Sequence, residues 1–448
     1  MTVAATASGG AALTLLPVRS DTALPARADV VVIGGGIVGV SAALFLARKG
    51  MSVVLTEKGV IGGEQSSRNW GWCRMTLRDP AEIPLMQESL RLWRDPGALG
   101  DADTGFRTTG IMYLKGRGAA EDQAQEAWLE RVRAFQLDSR MLSRADVARL
   151  LPGAARSWPG ALYTPSDGGA EPERAASAIA EAARRHGATI LTGCATRGIE
   201  RQGGRVSAVV TERGPIACQA VLVAAGAWSR LFCGNLGIDL PQLQVRASVM
   251  RTAPLPGGPE VSTAGAGFGF RKREDGGYIV SRTDATILDI VPDAFRLARR
   301  FLPLLGQSGA GLRVRVGSRF VEEWRTPRTW PLDTPSPFER VRVLDPPPAD
   351  AVLDSAARAI AADYPFFANM RVLARWGGSI DVTPDQLPVI SPVEGQPGLY
   401  LATGFSGHGF GIGPGAGKLA ADLVAGDPTL IDATAFRLSR FTKPPGAA

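Results

Sequence analysis

"DVVVIGGGIVGVSAALFLARKGMSVVLTEK", Asp29 to Lys58, decides the fold. Val30 to Ile33 is an unbroken apolar run, the pattern of a parallel strand buried on both faces. Gly34, Gly36 and Gly39 then make G-x-G-x-x-G, and Ile37 to Lys49 reads as a helix stopped by Gly50. Ser52 to Thr56 reads as a second strand ending at Glu57. In such a unit the first glycine permits a tight turn. The second lets a pyrophosphate approach the backbone, and the third lets helix pack on strand. The helix N-terminus offers N–H groups and a positive dipole end to phosphate. Glu57 stands where a carboxylate bonds ribose hydroxyls, which disfavours the 2′-phosphate of NADP. The stretch predicts an α/β dinucleotide-binding domain and leaves FAD and NAD both open.

The chain beyond Glu57 bears on that choice. An NAD domain usually continues with regular βα units, but here "GVIGGEQSSRNWGWCRMTLRDP" (Gly59–Pro80) is a loop rich in glycine and arginine, with two tryptophans. Segments between Leu85 and Leu151 read as helices around a short strand, "GIMYLK". A βα texture returns at Glu171, with Pro172 opening a helix and a strand beginning near Thr189. The apolar strand Ala220 to Ala224 then runs into Gly226, Ala227 and Trp228. The nucleotide domain is therefore interrupted and resumed.

Bulk properties exclude several functions. The 448 residues exceed what one core serves and suggest about two domains. The net charge is +7, but the basic residues are scattered as single arginines among acids. That pattern suits solvated faces and an anionic cofactor or substrate, not a nucleic-acid patch. Cys73, Cys194, Cys218 and Cys233 form no CxxC pair, so neither a zinc site nor a disulfide framework is indicated. They fit a reducing cytoplasm. With His186 and His408 the only histidines, a multi-histidine metal centre is excluded. Residues 1–27 lack a basic n-region and read as a flexible or loosely docked extension, and no apolar stretch is long enough to span a bilayer.

Four blocks together resemble the D-amino-acid oxidase, glycine oxidase and sarcosine oxidase superfamily of FAD-dependent amine oxidoreductases. They are the Val30–Lys58 unit, "SSRNWGW", "VLVAAGAWS", and a tail in which "WGGSIDVTPDQLPVI" precedes "GLYLATGFSGHGFGIGPGAGKLAADL". The resemblance implies a Rossmann-like FAD-binding domain interrupted by a substrate domain with a mixed or antiparallel sheet. The FAD domain would take residues 28–104, 165–240 and 372–441, and the substrate domain 105–164 and 241–371. "QVRASVMRTA" and the hairpin "GFGFRKREDGGYIVSRTD" (Gly267–Asp284) would lie in the substrate domain's sheet.

It also implies the site. FAD would be held by Gly34, Gly36, Ile37, Val38, Gly39, Glu57 and Lys58, by Ser66, Ser67, Arg68, Asn69, Trp70 and Gly71, and by Thr196, Ala225 and Gly226. Near the C-terminus, Gly377, Gly407, His408, Gly409, Phe410 and Gly411 would face the ring, the last helix aiming its N-terminus at flavin. Relatives bind flavin covalently through a histidine in the N-terminal loop or a cysteine that aligns with Gly378, so FAD is expected to be non-covalent. The reaction implied is hydride removal from the carbon of a C–N bond, giving an imine that hydrolyses. Many relatives clamp the substrate carboxylate with an arginine that aligns with Ile380 here. Either the substrate lacks a carboxylate there, or another arginine supplies the clamp: Arg68, Arg74, Arg271 and Arg282 are the candidates, Arg74 foremost, because it follows two tryptophans in the flavin loop. Trp70, Trp72, Tyr278, Trp376 and Phe405 are candidate walls of an amine pocket. Arg74, Tyr278, Trp376 and His408 make up the catalytic set.

The expected partner is a small amine or amino acid, with O2, a quinone or a partner protein as electron acceptor and an oligomer allowed for. Ile279 falls where some oxidases place a lysine near the flavin, which favours a dehydrogenase. The location is then cytoplasmic, or peripheral to the inner membrane for a dehydrogenase. Two rivals stand beside this reading: a flavin-bearing, non-catalytic subunit of a hetero-oligomer, and an NAD-linked dehydrogenase.

Overall fold

The computed structural model describes residues 13–116, 118–307 and 312–441. Four short apolar runs form parallel strands: β1 (Val30–Ile33), β2 (Val53–Thr56), β3 (Thr189–Leu191) and β4 (Ala220–Val223). They lie in the order β4-β1-β2-β3. Leu399–Thr403 adds parallel to β4, and Val389–Pro392 closes that edge antiparallel. Three distant stretches of chain thus build one six-stranded sheet, as the interrupted texture of the sequence requires.

Helix α1 (Ile37–Arg48) buries every residue from Ile37 to Ala47. It is apolar all round because it is enclosed all round: the sheet lies on one side, helix Pro172–Arg185 on another, and the C-terminal helix on a third. That last helix is Gly409–Ala425. Between α1 and it, α2 (Ile83–Arg94) also packs on the C-terminal helix, labelled α3 from here on.

The second body is a ten-stranded mixed sheet. It contains β5 (Leu243–Thr252), β6 (Phe268–Lys272) and β7 (Tyr278–Ser281). The expected hairpin is present, with Gly269 opposite Ser281 and Lys272 opposite Tyr278. One boundary moves. β8 (Val372–Val382), grouped by sequence with the FAD pieces, pairs antiparallel with β5 from Leu243–Val382 to Thr252–Val372 and belongs to this larger sheet. Its ladder partner lies 120 or more residues away, so no local pattern signals it.

Residues 1–12 of the N-terminal extension lie outside the described residues. From Leu13 on, the extension is docked. Leu13 packs with Val249, Ile279 and Trp376, and Asp21 exchanges two hydrogen bonds with Ile190. No helix among the described residues is long and apolar enough to cross a membrane.

Candidate active site

One cavity of about 450 Å³ runs between the two bodies and is lined by both glycine turns. At the first, Gly34 has φ +111°, and a Cβ there would sit 2.5 Å from the Ala224 carbonyl oxygen. Gly39 is tighter still: its Cβ would lie 2.0 Å from the Gly34 oxygen. α1 can sit this close to the β1 turn only because both residues are glycine. Glu57, at the end of β2, accepts hydrogen bonds from the Gly35 and Gly59 amides, 2.7 Å each. Ser66 Oγ accepts from the Ile37 amide, and Thr196 pairs with Thr56 through their hydroxyls. Gly34, Gly36, Ile37, Val38, Glu57, Lys58, Ser66, Arg68, Asn69, Trp70, Thr196, Ala225 and Gly226 all line the cavity.

The C-terminal turn explains its glycines by packing. A Cβ on Gly411 would meet the Cys73 backbone and the Trp72 oxygen at 2.8 Å. One on Gly413 would meet Ile37 at 2.8 Å, one on Gly415 the Leu85 oxygen at 2.7 Å, and one on Gly417 Ser41 at 2.5 Å. α3 is squeezed between α1, α2 and the strand at Trp72–Cys73. Pro414 lies inside α3 and removes one ladder donor. One residue on, α2 enters the ladder: Ser89 Oγ and Trp93 Nε1 both donate to the Gly411 oxygen, and the Gly415 amide donates to Ser89 Oγ. This holds the first turn of α3, with no acidic residue in it, open toward the cavity at Gly407, His408, Gly409, Phe410 and Gly411.

These residues fit FAD. Two glycine-lined helix N-termini share one cavity, and the arginines lining it (Arg68, Arg74, Arg78, Arg282, Arg342) exceed the acids (Glu57, Glu64, Asp381). Trp72 Nε1 is a buried donor without a hydrogen-bond partner in the protein.

Several expected site residues stand elsewhere. Tyr278 does not line the cavity: it is fully buried among Phe270, Phe366 and Phe367, its hydroxyl donating to the Pro259 oxygen. Trp376 points away too, packing on Val249 and Ile279 while its Nε1 donates to the Arg68 oxygen. It positions the flavin loop and does not touch the cavity. Gly377 packs against Pro346 and Pro347, whereas its neighbour Gly378 lines the cavity. Gly39 and Gly71 are crossing points of backbone, Gly71 against Ala170. Ser67 bonds back to the Glu64 oxygen.

The arginine candidates separate. Arg271 is spent on Glu171 and the Trp70 oxygen, outside the cavity. Arg282 lines the cavity but is held bidentately by Asp284, with Ser355 on its third nitrogen. Arg68 is tied to Asp345 and to the Gly63 and Gly377 oxygens. Arg74 lines the cavity, leaning on the Tyr113 ring and donating to the Thr76 oxygen.

Two residues that the sequence reading did not single out complete the picture. Arg78 lines the cavity, and its Nη1 is buried without a partner. Burial and the nearby Arg74 push its guanidinium down to about 9. Glu82, fully buried, has both carboxylate oxygens without a hydrogen bond and lies 3.4 Å from His408 Nδ1. The loop that carries Arg74 and Arg78 is pinned by Asp167, which accepts from the Met75 and Thr76 amides and the Thr76 hydroxyl. Burial raises the Asp167 carboxyl to about 6.

Comparison with known proteins agrees. The model of the family described as FAD dependent oxidoreductase matches residues 29–423, and the chain belongs to that family. Its cofactor is FAD, which removes the NAD-linked alternative. Sarcosine oxidase subunit beta of Rhizobium meliloti is 26% identical, covering 93% of this chain and 88% of its own. Glycine oxidase of Pseudomonas aeruginosa is also 26% identical, over 90% of this chain and 96% of that protein. Among solved structures, L-amino acid deaminase from Proteus myxofaciens in complex with anthranilate superposes with a TM-score of 0.92 at 36% identity, covering 99% of both chains.

Proposed function

We propose that this chain oxidises the C–N bond of a carboxylate-bearing amine, an amino or imino acid, with FAD held non-covalently. The observation that carries the reading is that Arg74 and Arg78 face the same cavity as the two glycine turns. A guanidinium pair is suited to a carboxylate. Ile380 lines the cavity, so the position of the usual clamp presents only an apolar wall, and the clamp falls to the flavin loop. A neighbour at 36% identity holds anthranilate, an aromatic amine with a carboxylate, which supports the same substrate class. FAD, when bound, supplies the acceptor for the hydride. The protein's residues hold the acid end, exclude water with Trp70, Trp72 and Phe405, and orient the nitrogen. No cysteine lines the cavity. An anaerobic screen of amines and both enantiomers of amino acids is expected to bleach the flavin with at least one carboxylated substrate. The acid-precipitated protein should come down colourless. Flavin that no amine bleaches would favour instead a flavin-bearing subunit, the reading for which the subunit beta relative speaks.

We infer the electron acceptor from the surface. Between Val291 and Arg328 the sequence carries eight arginines and three acids, five of the chain's seven net positive charges. The same segment exposes Phe295, Leu302, Val314, Val316 and Trp324, Trp324 being 70% exposed and stacked on Phe320. Basic residues interleaved with exposed apolar ones suit an anionic lipid surface. The acceptor is then a membrane quinone in preference to O2. The protein is expected to float with phosphatidylglycerol vesicles at low salt. Trp324→Ser with Phe295→Ser should weaken that binding by roughly tenfold, and stoichiometric peroxide with substrate would refute the acceptor.

A further inference from the structure

His408 sits at the N-cap of α3 and lines the cavity, yet its Nδ1 is buried. What Nδ1 meets is Glu82, 3.4 Å away on the short helix that leads into α2. About 20% of the side chain stays exposed, and Nδ1 has no share in it. We propose that Glu82 fixes His408 with its proton on Nδ1, so that Nε2 presents a lone pair to the cavity and accepts the proton of the substrate's ammonium group. This rests on the amine-oxidation reading above and assigns that reading's proton acceptor.

The chemistry requires such a group. At neutral pH an amino acid carries an ammonium, and its carbon releases a hydride only after the nitrogen has recovered a lone pair. The step is a simple transfer. The ammonium N–H bond breaks, the Nε2–H bond forms, the amine keeps the electron pair, and the positive charge moves onto the imidazole beside Glu82. His408 is then a catalytic residue, and Glu82 a positioning residue that acts through it.

The charges around the ring support the assignment. Burial, with Arg78 and Arg74 alongside and against the opposing pull of Glu82, pushes His408 down to about 4, so the ring is neutral at pH 7. Burial opposes ionisation of Glu82, but the facing N–H of the neutral His408 ring and the charges of Arg78 and Arg74 favour the ionised carboxylate and hold the group below the ordinary range. An ionised carboxylate accepts and cannot donate, so the neutral ring turns its N–H toward Glu82. A substrate carboxylate on Arg74 and Arg78 offsets the two charges that depress the imidazole. The acceptor therefore gains basicity when substrate arrives. The 3.4 Å contact is long, as such pairs often are before substrate binds.

The chain has two histidines, so [15N]histidine NMR of the FAD-loaded protein reads the tautomer directly, with His186→Gln assigning the signals. The expected result at pH 7 is a protonated Nδ1 and a bare Nε2 on His408, with Glu82→Gln mixing or inverting the tautomers and Glu82→Asp restoring them in part. In turnover, His408→Gln should lower kcat/KM by roughly 10²- to 10⁴-fold. Glu82→Gln should lower it at least tenfold and displace the acid limb of the pH profile. A wild-type ring protonated on Nε2, or a pH profile that Glu82→Gln leaves in place, overturns the proposal. The NMR result needs no turnover. An Nδ1-protonated ring in a protein that oxidises no amine would therefore sink the functional reading alone.

Discussion

Gly39→Ala is expected to yield protein with no bound flavin, and little of it folded. The new Cβ would lie 2.0 Å from the Gly34 oxygen and 3.2 Å from its carbonyl carbon, so backbone itself must move. A side chain could swing away, but a carbonyl at the turn between β1 and α1 cannot. Overpacking of a core costs about 1–3 kcal/mol, and more where backbone is displaced. That is a large share of the roughly 5–15 kcal/mol that holds a protein folded. α1 also forms the wall on which α3 rests, with Gly413 against Ile37 and Gly417 against Ser41, so a shift of α1 opens both glycine turns together. Gly234→Ala is the control. Gly234 lies in helix Ser229–Asn235 with nothing within 4 Å of an added Cβ. There the same change should be neutral, or stabilising by about 0.4–1 kcal/mol through the unfolded chain. Flavin absorbance per protein and Tm measure both. Gly39→Ala with full flavin and an unchanged Tm would remove the packing account of the first turn.

The nucleotide half was legible because its signals are local. β1, its glycine turn, α1, β2 and Glu57 fall within thirty residues, and periodicity and spacing describe them in full. The C-terminal glycines were legible by type, and their reason became visible only with α1, α2 and the Trp72 strand in place. What escaped depends on distant partners. Tyr278 and Trp376 look like pocket aromatics, because an aromatic beside a candidate hairpin or a glycine pair carries no mark of which sheet face it takes. One faces a phenylalanine cluster and the other the flavin loop's backbone. Arg271 and Arg282 looked as free as Arg74, since their neutralising partners include Glu171, a hundred residues away, as well as the nearby Asp284. Arg78 did leave a trace: it stands four residues after Arg74 and directly before Asp79, whose side chain caps the next helix. Glu82 left none, because a glutamate in a helical first turn is ordinary until a half-buried histidine from 326 residues on meets it.

Arg78→Met should then divide substrates by their carboxylate. Arg78 is 3% exposed, its Nε is committed to the Arg74 oxygen, and its Nη1 has no partner in the protein. Arg78 lines the cavity, and an anion that reaches Nη1 meets a donor already desolvated. Removing one partner of a buried, hydrogen-bonded charge pair costs about 2–5 kcal/mol. With each 1.36 kcal/mol worth a factor of ten, kcat/KM for a carboxylated amine should fall by roughly 10²-fold or more. The decarboxylated analogue should change by no more than about threefold. Arg74→Met should show the same selectivity more weakly, because Arg74 is partly engaged by Tyr113 and the Thr76 oxygen. Flavin content is the check on folding, since neither side chain bonds the glycine turns. Losing Arg78 also takes a cation from Glu82, so the pH profile should shift for both compounds, while only the carboxylated one loses affinity. Equal losses for the two compounds would show that Arg78 shapes the loop and does not hold the acid end of the substrate.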